Sequence, residues 1–348
     1  MTETMRALVK TDRGRDRIEI RELPVPRADA QSVVIRVRAA GICGSDVKIL
    51  RDEHPNYPPV VLGHEFSGEI VEAGPEVEGW SAGERVVSEV HGRVCGRCRC
   101  CLTGKKHICP DKRALGWGMD GGFAEYVKVP AWLLHRIPER VSFEEAALSE
   151  PLAIVVHGLL ERARVEPEDF VVILGCGTLG LLALQAARAE GAASVLVTGI
   201  GQDEKLRLPK ALELGAGHAV NVQETDPVEL VRRLTGGVGA DLVVDLSGAP
   251  AAIRQGLDML RVEGRFLAIG IPAAAEVPIP WKHLIFRVPQ VLFHFSSCYT
   301  SWERTLSLLA GGKVRTGPLV TQVLDLSEWR EGMRLTESGE AVKVLLRP

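Results

Sequence analysis

Along the first 150 residues, apolar positions come in short runs rich in β-branched residues: SVVIRVRAAGI, FSGEIVEAG, ERVVSEV and FAEYVKVP, with Gly and Pro between them. Runs of this kind bounded by turn formers read as strands, so this part is an irregular, mostly antiparallel β region. From about residue 170 the rhythm changes. Short apolar runs alternate with stretches of helical period: FVVILG leads into TLGLLALQAARAEG, SVLVTG into DEKLRLPKALELG, HAVNV into DPVELVRRLTG, and ADLVVDLSG into PAAIRQGLDMLRVEG, followed by RFLAIG and QVLFHF. Strand then helix, repeated about five times, implies a parallel, doubly wound sheet. Beyond about residue 300, LVTQVLDLSEWREGMRLTESGEAVKVLL predicts one more helix and a last strand that this sheet does not need. They are expected to return to the first domain.

A chain of 348 residues exceeds the usual size of one domain, which agrees with the two rhythms. With 46% apolar residues, 25% charged residues and a net charge of -3, the composition is that of a soluble globular protein without the basic excess of a nucleic-acid binder. The start MTETMRALVKTDRGRD lacks the apolar core of a signal peptide, and no apolar run approaches a bilayer span. Neither nucleic acid nor membrane is an expected partner, and the expected compartment is the cytoplasm. There, clustered cysteines bind metal or react in preference to forming disulfides.

The stretch VVILGCGTLGLLALQAARAEG sets Gly175, Gly177 and Gly180 directly after an apolar strand and at the start of a helix. In that context a GxGxxG loop marks a dinucleotide site: the first glycine makes the turn, the second admits the pyrophosphate, and the third lets helix and strand pack. The pyrophosphate sits on the free N–H groups at the helix start, which puts Thr178 and Leu179 among the contacts. An acidic residue is expected at the end of the second strand for the adenosine ribose, but Gly199 stands there. Either Asp203 reaches back to the ribose and the cofactor is NAD, or Gly199 leaves room for a 2′-phosphate paired with Lys205 or Arg207 and the cofactor is NADP. NAD is favoured. Cys176, inside the loop, reads as a small packed residue.

In the β region Cys43 of GICGSD precedes His64 and Glu65 of GHEFSGEI by about twenty residues. A thiolate, an imidazole and a carboxylate suit Zn²⁺, and a catalytic zinc keeps one position open. Glu150, in SEPLA just before the change of rhythm, is expected beside them at the domain boundary. A zinc there would act as a Lewis acid on an alcohol oxygen while a nicotinamide takes the electrons. A second constellation, VCGRCRCCLTGKKHICP, has five cysteines in fifteen positions, from Cys95 to Cys109. Cys95, Cys98, Cys101 and Cys109 give C-x2-C-x2-C-x7-C, which can enclose a structural zinc; the last spacing is too long for a ferredoxin-type cluster run. Cys100 is the odd one out.

Taken in order, GICGSD, GHEFSGEI, the CxxCxxC run, DGGFAEYV, SEPLA and GCGTLG resemble the zinc-containing medium-chain dehydrogenase/reductase family over nearly the whole chain, and Glu150-Pro151-Leu152 resembles its sorbitol (polyol) and threonine dehydrogenase branch. The resemblance implies an α/β architecture: a GroES-like β domain over residues 1–153 and 298–348, and a Rossmann domain over 154–297. It implies catalytic zinc on Cys43, His64 and Glu65, with Glu150 as an exchangeable ligand or a holder of water. Ser45 takes the place of the hydroxyl that receives the alcohol proton, and Asp46 that of a supporting carboxylate. Further cofactor contacts are expected at Ser247, Gly270 and Ile271, and at Phe295, Ser296 and Ser297.

Two departures stand out. Many members carry a histidine where this chain has Lys48, so the outer proton path runs through Lys48, His54 or water. An arginine of sorbitol dehydrogenases is not evident in FHFSSCYT, which offers His294 instead. The expected function is zinc-dependent hydride transfer between a secondary alcohol of a polyol-like substrate and NAD(P), giving the ketone. Threonine-type amino alcohols and vicinal diols are the alternatives. Two zinc ions per chain and a homotetramer or homodimer complete the expectation.

Overall fold

A computed structural model describes residues 3–348. The chain divides into two compact units: the first runs to Ala153 and takes in Ser297–Ala310 and Arg315–Pro348, and the second comprises Ile154–Ser296 with Gly311–Val314.

At the centre of the first unit lies the strand Ser32–Gly41. Its side chains alternate: Ile35 and Ala39 are buried, while Arg36 and Arg38 face solvent. That period of two is what a sheet with one covered face requires. Glu65–Ala73 and Tyr126–Pro130 pair antiparallel with it. On the far side Lys343–Arg347 joins it antiparallel, with Leu346 opposite Ala40 and Leu345 opposite Gly41. The core gathers Ile35, Phe66, Ile70, Phe123 and Leu133, all at least 97% buried. Each such side chain contributes about 1.5–3 kcal/mol by leaving water.

The C-terminal part holds more than one helix and one strand. Its elements are helix Tyr299–Ala310, strand Val320–Asp325, helix Trp329–Ser338 and strand Lys343–Arg347. The two strands pair in parallel, so Trp329–Ser338 is the crossover of a β-α-β unit. Val320–Asp325 lies at the sheet edge and buries none of its side chains completely, which is why its apolar pattern is weak.

The second unit is a six-stranded parallel sheet whose strands, counted in chain order within this unit, run 3-2-1-4-5-6. Val171, Ile173, Val195, Val197, Leu242 and Val244 are completely buried, as expected for a sheet covered on both faces. The order reverses between Phe170–Leu174 and Ala240–Asp245, and the glycine loop leaves the first of these at its carboxyl end. This switch point is where open α/β sheets bind ligands. No helix among the described residues is long and apolar enough to cross a membrane.

Candidate active site

Strand register brings the first constellation together. Gly41 lies opposite Glu65, so Cys43, two residues past the end of one strand, meets His64 and Glu65 at the start of its neighbour. The thiolate, imidazole and carboxylate atoms of Cys43, His64 and Glu65 all lie within 4.8 Å of one another, close enough to share one ion. Cys43 precedes the helix Gly44–Leu50, and its N–H donates to Asp46 Oδ2 at 2.9 Å. His64 Nδ1 lies 3.6 Å from Asp46 Oδ1, and both atoms are buried without a hydrogen bond. A small closing movement would make the carboxylate–imidazole contact that fixes a metal-binding histidine and leaves Nε2 for the ion. Ser45 Oγ sits 3.5 Å from that Nε2.

Charge in this site asks for a cation. Burial opposes the His64 imidazolium, yet Asp46 and Cys43 outweigh it and hold the ring well above its ordinary value. Glu150 is 94% buried; burial pushes its carboxyl up to about 7, with His64 working against the rise and Glu65 adding to it. Lys343 enters from the neighbouring strand, pairs with Glu65 Oε2 and donates to Ile42 O at 3.0 Å. Burial lowers the affinity of Lys343 for its proton, but Glu65 and Cys43 outweigh that effect and hold it above the ordinary value. One lysine among Cys43, Asp46, Glu65 and Glu150 leaves negative character that a divalent ion would satisfy. The donor set therefore fits zinc.

The four cysteines of the second constellation also meet. Cys95, Cys98, Cys101 and Cys109 place their sulfurs within 4.8 Å of one another, with Cys95–Cys109 at 3.6 Å and Cys95–Cys101 and Cys98–Cys109 each at 3.9 Å. Thiolates bound at 2.3 Å around a tetrahedral zinc stand about 3.8 Å apart, so the spacing suits the metal and is far too long for disulfides. The N–H groups of Cys98 and Cys101 point at the sulfurs three residues earlier, at 3.4 and 3.5 Å. Cys100 stays outside the cluster.

In the second unit Gly175 adopts a left-handed φ of 102°, and its N–H reaches Thr198 O at 3.1 Å. Gly177 caps the helix Thr178–Ala189, whose second residue is Leu179. Gly180 lies so close to the preceding turn that an added Cβ would meet Gly175 O at 1.9 Å. At Gly199 a Cβ would meet Cys176 Sγ at 2.7 Å and Asp203 Cβ at 3.1 Å, so the strand end accepts no side chain there. Asp203 is buried, accepts the Ile200 N–H at 3.0 Å and pairs with Arg207 at 3.1 Å, while Lys205 is exposed. Asp245 holds Ser247 through its hydroxyl at 2.7 Å and its N–H at 3.0 Å. Gly270 donates to Asp245 O at 2.9 Å, and Ile271 is 62% exposed. Phe295 is half exposed, Ser296 has a left-handed φ of 69°, and Ser297 Oγ accepts from Trp302 Nε1 at 3.0 Å.

Two neighbours of the metal ligands escaped sequence reasoning. Lys343 in AVKVLL looks like an ordinary strand residue; its own sequence context carries no signal. Trp117 sets its ring 4.9 Å from His64 and 4.9 Å from His54, both edge-on. Its place in ALGWGMDGG, between glycines and just ahead of DGGFAEYV, was the only hint. His54 Nδ1 is engaged with Pro55 O at 3.0 Å, and burial lowers its pKa.

Known proteins share both the sequence and the shape. Residues 29–139 match the alcohol dehydrogenase GroES-like domain and residues 178–311 the zinc-binding dehydrogenase domain. A sorbitol dehydrogenase of Halalkalibacterium halodurans is 41% identical over 99% of both chains. An L-threonine 3-dehydrogenase of Bacillus licheniformis is 37% identical over 100% of both. Among solved structures, a putative zinc-binding dehydrogenase from Sinorhizobium meliloti, bound to NADP, superimposes with a TM-score of 0.90 at 31% identity, covering 99% of this chain and 100% of its own. With its GroES-like and Rossmann units, this chain belongs to the zinc-dependent alcohol dehydrogenase family of NAD(P)-linked oxidoreductases.

Proposed function

We propose that this dehydrogenase oxidises a secondary alcohol of a polyol or sugar alcohol to the ketone, with Cys43, His64, Glu65 and Glu150 serving the catalytic zinc. The convergence of the first three side chains within 4.8 Å carries the reading. When bound, zinc supplies the Lewis acidity that makes an alcohol acidic near neutrality, and the nicotinamide supplies the electron sink. The protein's own part is position and proton handling. Asp46 turns His64, Lys343 restrains Glu65, and Trp117 covers the imidazole against water. Ser45 receives the alcohol proton, and Glu150, with its pKa near 7, holds or releases one at the operating pH. A second zinc on Cys95, Cys98, Cys101 and Cys109 holds a lobe in shape.

NAD is the favoured cofactor, because Arg207 is already paired with Asp203 and is less available to a 2′-phosphate. A panel of D-sorbitol, xylitol, L-threonine and 2,3-butanediol with NAD and NADP tests the assignment. Polyol with NAD should lead L-threonine by about tenfold or more in kcat/KM, a gap of about 1.4 kcal/mol. L-threonine in front, or no turnover with any of them, would overturn it.

The free cysteines support a cytoplasmic site of action. A homodimer or homotetramer is supported by the outer strand of the parallel sheet. Gln290–Phe293 forms an edge, where Phe293 is 76% exposed, and the helix Trp281–Arg287 exposes Trp281 at 70% and Phe286 at 74%. An apolar edge of this kind asks for cover. Phe286→Glu with Phe293→Glu should lower the mass seen by light scattering to that of a monomer; a wild type that is already monomeric at micromolar concentration would refute this assembly.

A further inference from the structure

Residues 93–113 carry Arg93, Arg97, Arg99, Lys105, Lys106, Lys112 and Arg113 against a single acid, Asp111. That net charge of +6 sits in a chain whose total is -3. A divalent ion held by four thiolates is a dianion and offsets about a third of it. The excess is not spread evenly. A cavity of about 470 Å³ is lined by Arg93, Arg97 and Arg113, with Val94, Pro110, Asp111 and Cys95, one of the four clustered cysteines, completing the wall. Its size falls within the range of small-molecule sites.

The backbone forces two of these arginines together. Arg93 and Arg113 form an isolated antiparallel bridge, Arg93 N–H to Arg113 O at 3.1 Å and Arg113 N–H to Arg93 O at 2.8 Å. Residues paired this way send their side chains to the same side of the ribbon, where like charges repel. Among the described residues no carboxylate lies within ion-pair distance of Arg93, Arg97 or Arg113. Arg113 lies 3.7 Å over the Tyr57 ring, which holds its guanidinium at the cavity wall. The like charges thus converge on one cavity without an ion pair to the protein.

We propose that this cavity binds a phosphate group, either free phosphate or the phosphate end of a phosphorylated small molecule. A guanidinium presents paired donors in the geometry that phosphate oxygens accept, and three around one cavity can neutralise a dianion. A carboxylate ligand would satisfy the cluster less completely. The site stands apart from the catalytic metal ligands but is linked to them: Tyr57 N–H donates to Trp117 O at 2.8 Å, and the Trp117 ring packs against His64. A ligand seated on Arg113 is therefore connected to His64 through Tyr57 and Trp117.

The test is calorimetric titration of the zinc-loaded chain with inorganic phosphate and with D-sorbitol 6-phosphate, for the wild type and for Arg93→Met/Arg97→Met. Both replaced side chains are exposed, so the variant should melt with the wild type; Arg97→Met alone serves if the double variant does not. Wild-type chain should bind phosphate saturably, about tenfold or more tightly than the variant, and more weakly as salt is raised. No saturable binding by the wild type, or equal affinity in the variant, would sink the proposal. Kinetics separates the two sources. If the phosphate belongs to the alcohol, the variant raises KM for D-sorbitol 6-phosphate and leaves kcat and the KM of D-sorbitol alone. If it is a separate anion, neither KM changes. Binding is read without turnover, so the titration succeeds or fails independently of the assigned reaction.

Discussion

Replacing Cys43 by alanine should abolish turnover and leave the chain folded. The thiolate is one of three side chains that converge on the open metal position, and the remaining pair, His64 and Glu65, cannot hold zinc in catalytic geometry. Lewis-acid activation of the alcohol is worth several kcal/mol, so kcat/KM should fall by about 10³-fold or more. The backbone contact at this position survives, because Asp46 accepts the N–H of residue 43 rather than its side chain. Metal analysis should show one zinc lost per chain, with circular dichroism and melting close to wild type.

Cys98→Ala should do the reverse. The segment around it has one helical turn, Arg99–Leu102, and a short 3₁₀ stretch, Lys106–Ile108, but no strand and few buried apolar side chains. Its fixed shape rests on the sulfur cluster, and a structural zinc contributes folding energy directly. Loss of one thiolate should lower the melting temperature by several degrees, at about 2–4 °C per kcal/mol for a unit as large as the one that holds Cys98, and open residues 93–113 to proteolysis. Residual zinc-dependent turnover should persist at low temperature. An equal loss of stability in Cys43→Ala and Cys98→Ala would contradict the division into a catalytic and a structural site.

What could be read from the sequence was what lies close along the chain. The glycine loop after an apolar strand, the CxxCxxC run, and GICGSD ahead of GHEFSGEI are local patterns whose spacing encodes their chemistry. The alternation of strands and helices fixed a parallel sheet because full burial demands continuous apolar runs. Lys343 was invisible because its meaning comes from pairing between Lys343–Arg347 and Ser32–Gly41. The reason for Gly199 was hidden in the same way. In one dimension it is only a glycine in place of an acid, whereas in three dimensions a side chain there would meet Cys176 and Asp203. Arg93 and Arg113 look like scattered surface charges until a two-residue bridge sets them face to face.

The ammonium that steadies Glu65 also sets a clock. Lys343 stands 301 positions after Ile42, whose carbonyl it ties down. At synthesis rates of about 5–20 residues per second, the interval between the two is roughly 15–60 s. During that time the ribosome has already released the metal-ligand loop, and Glu65 stands without the one lysine that neutralises it. The two halves of this charge pair are thus made far apart in time, and Glu65 gains its buried partner only once Lys343–Arg347 has paired with Ser32–Gly41.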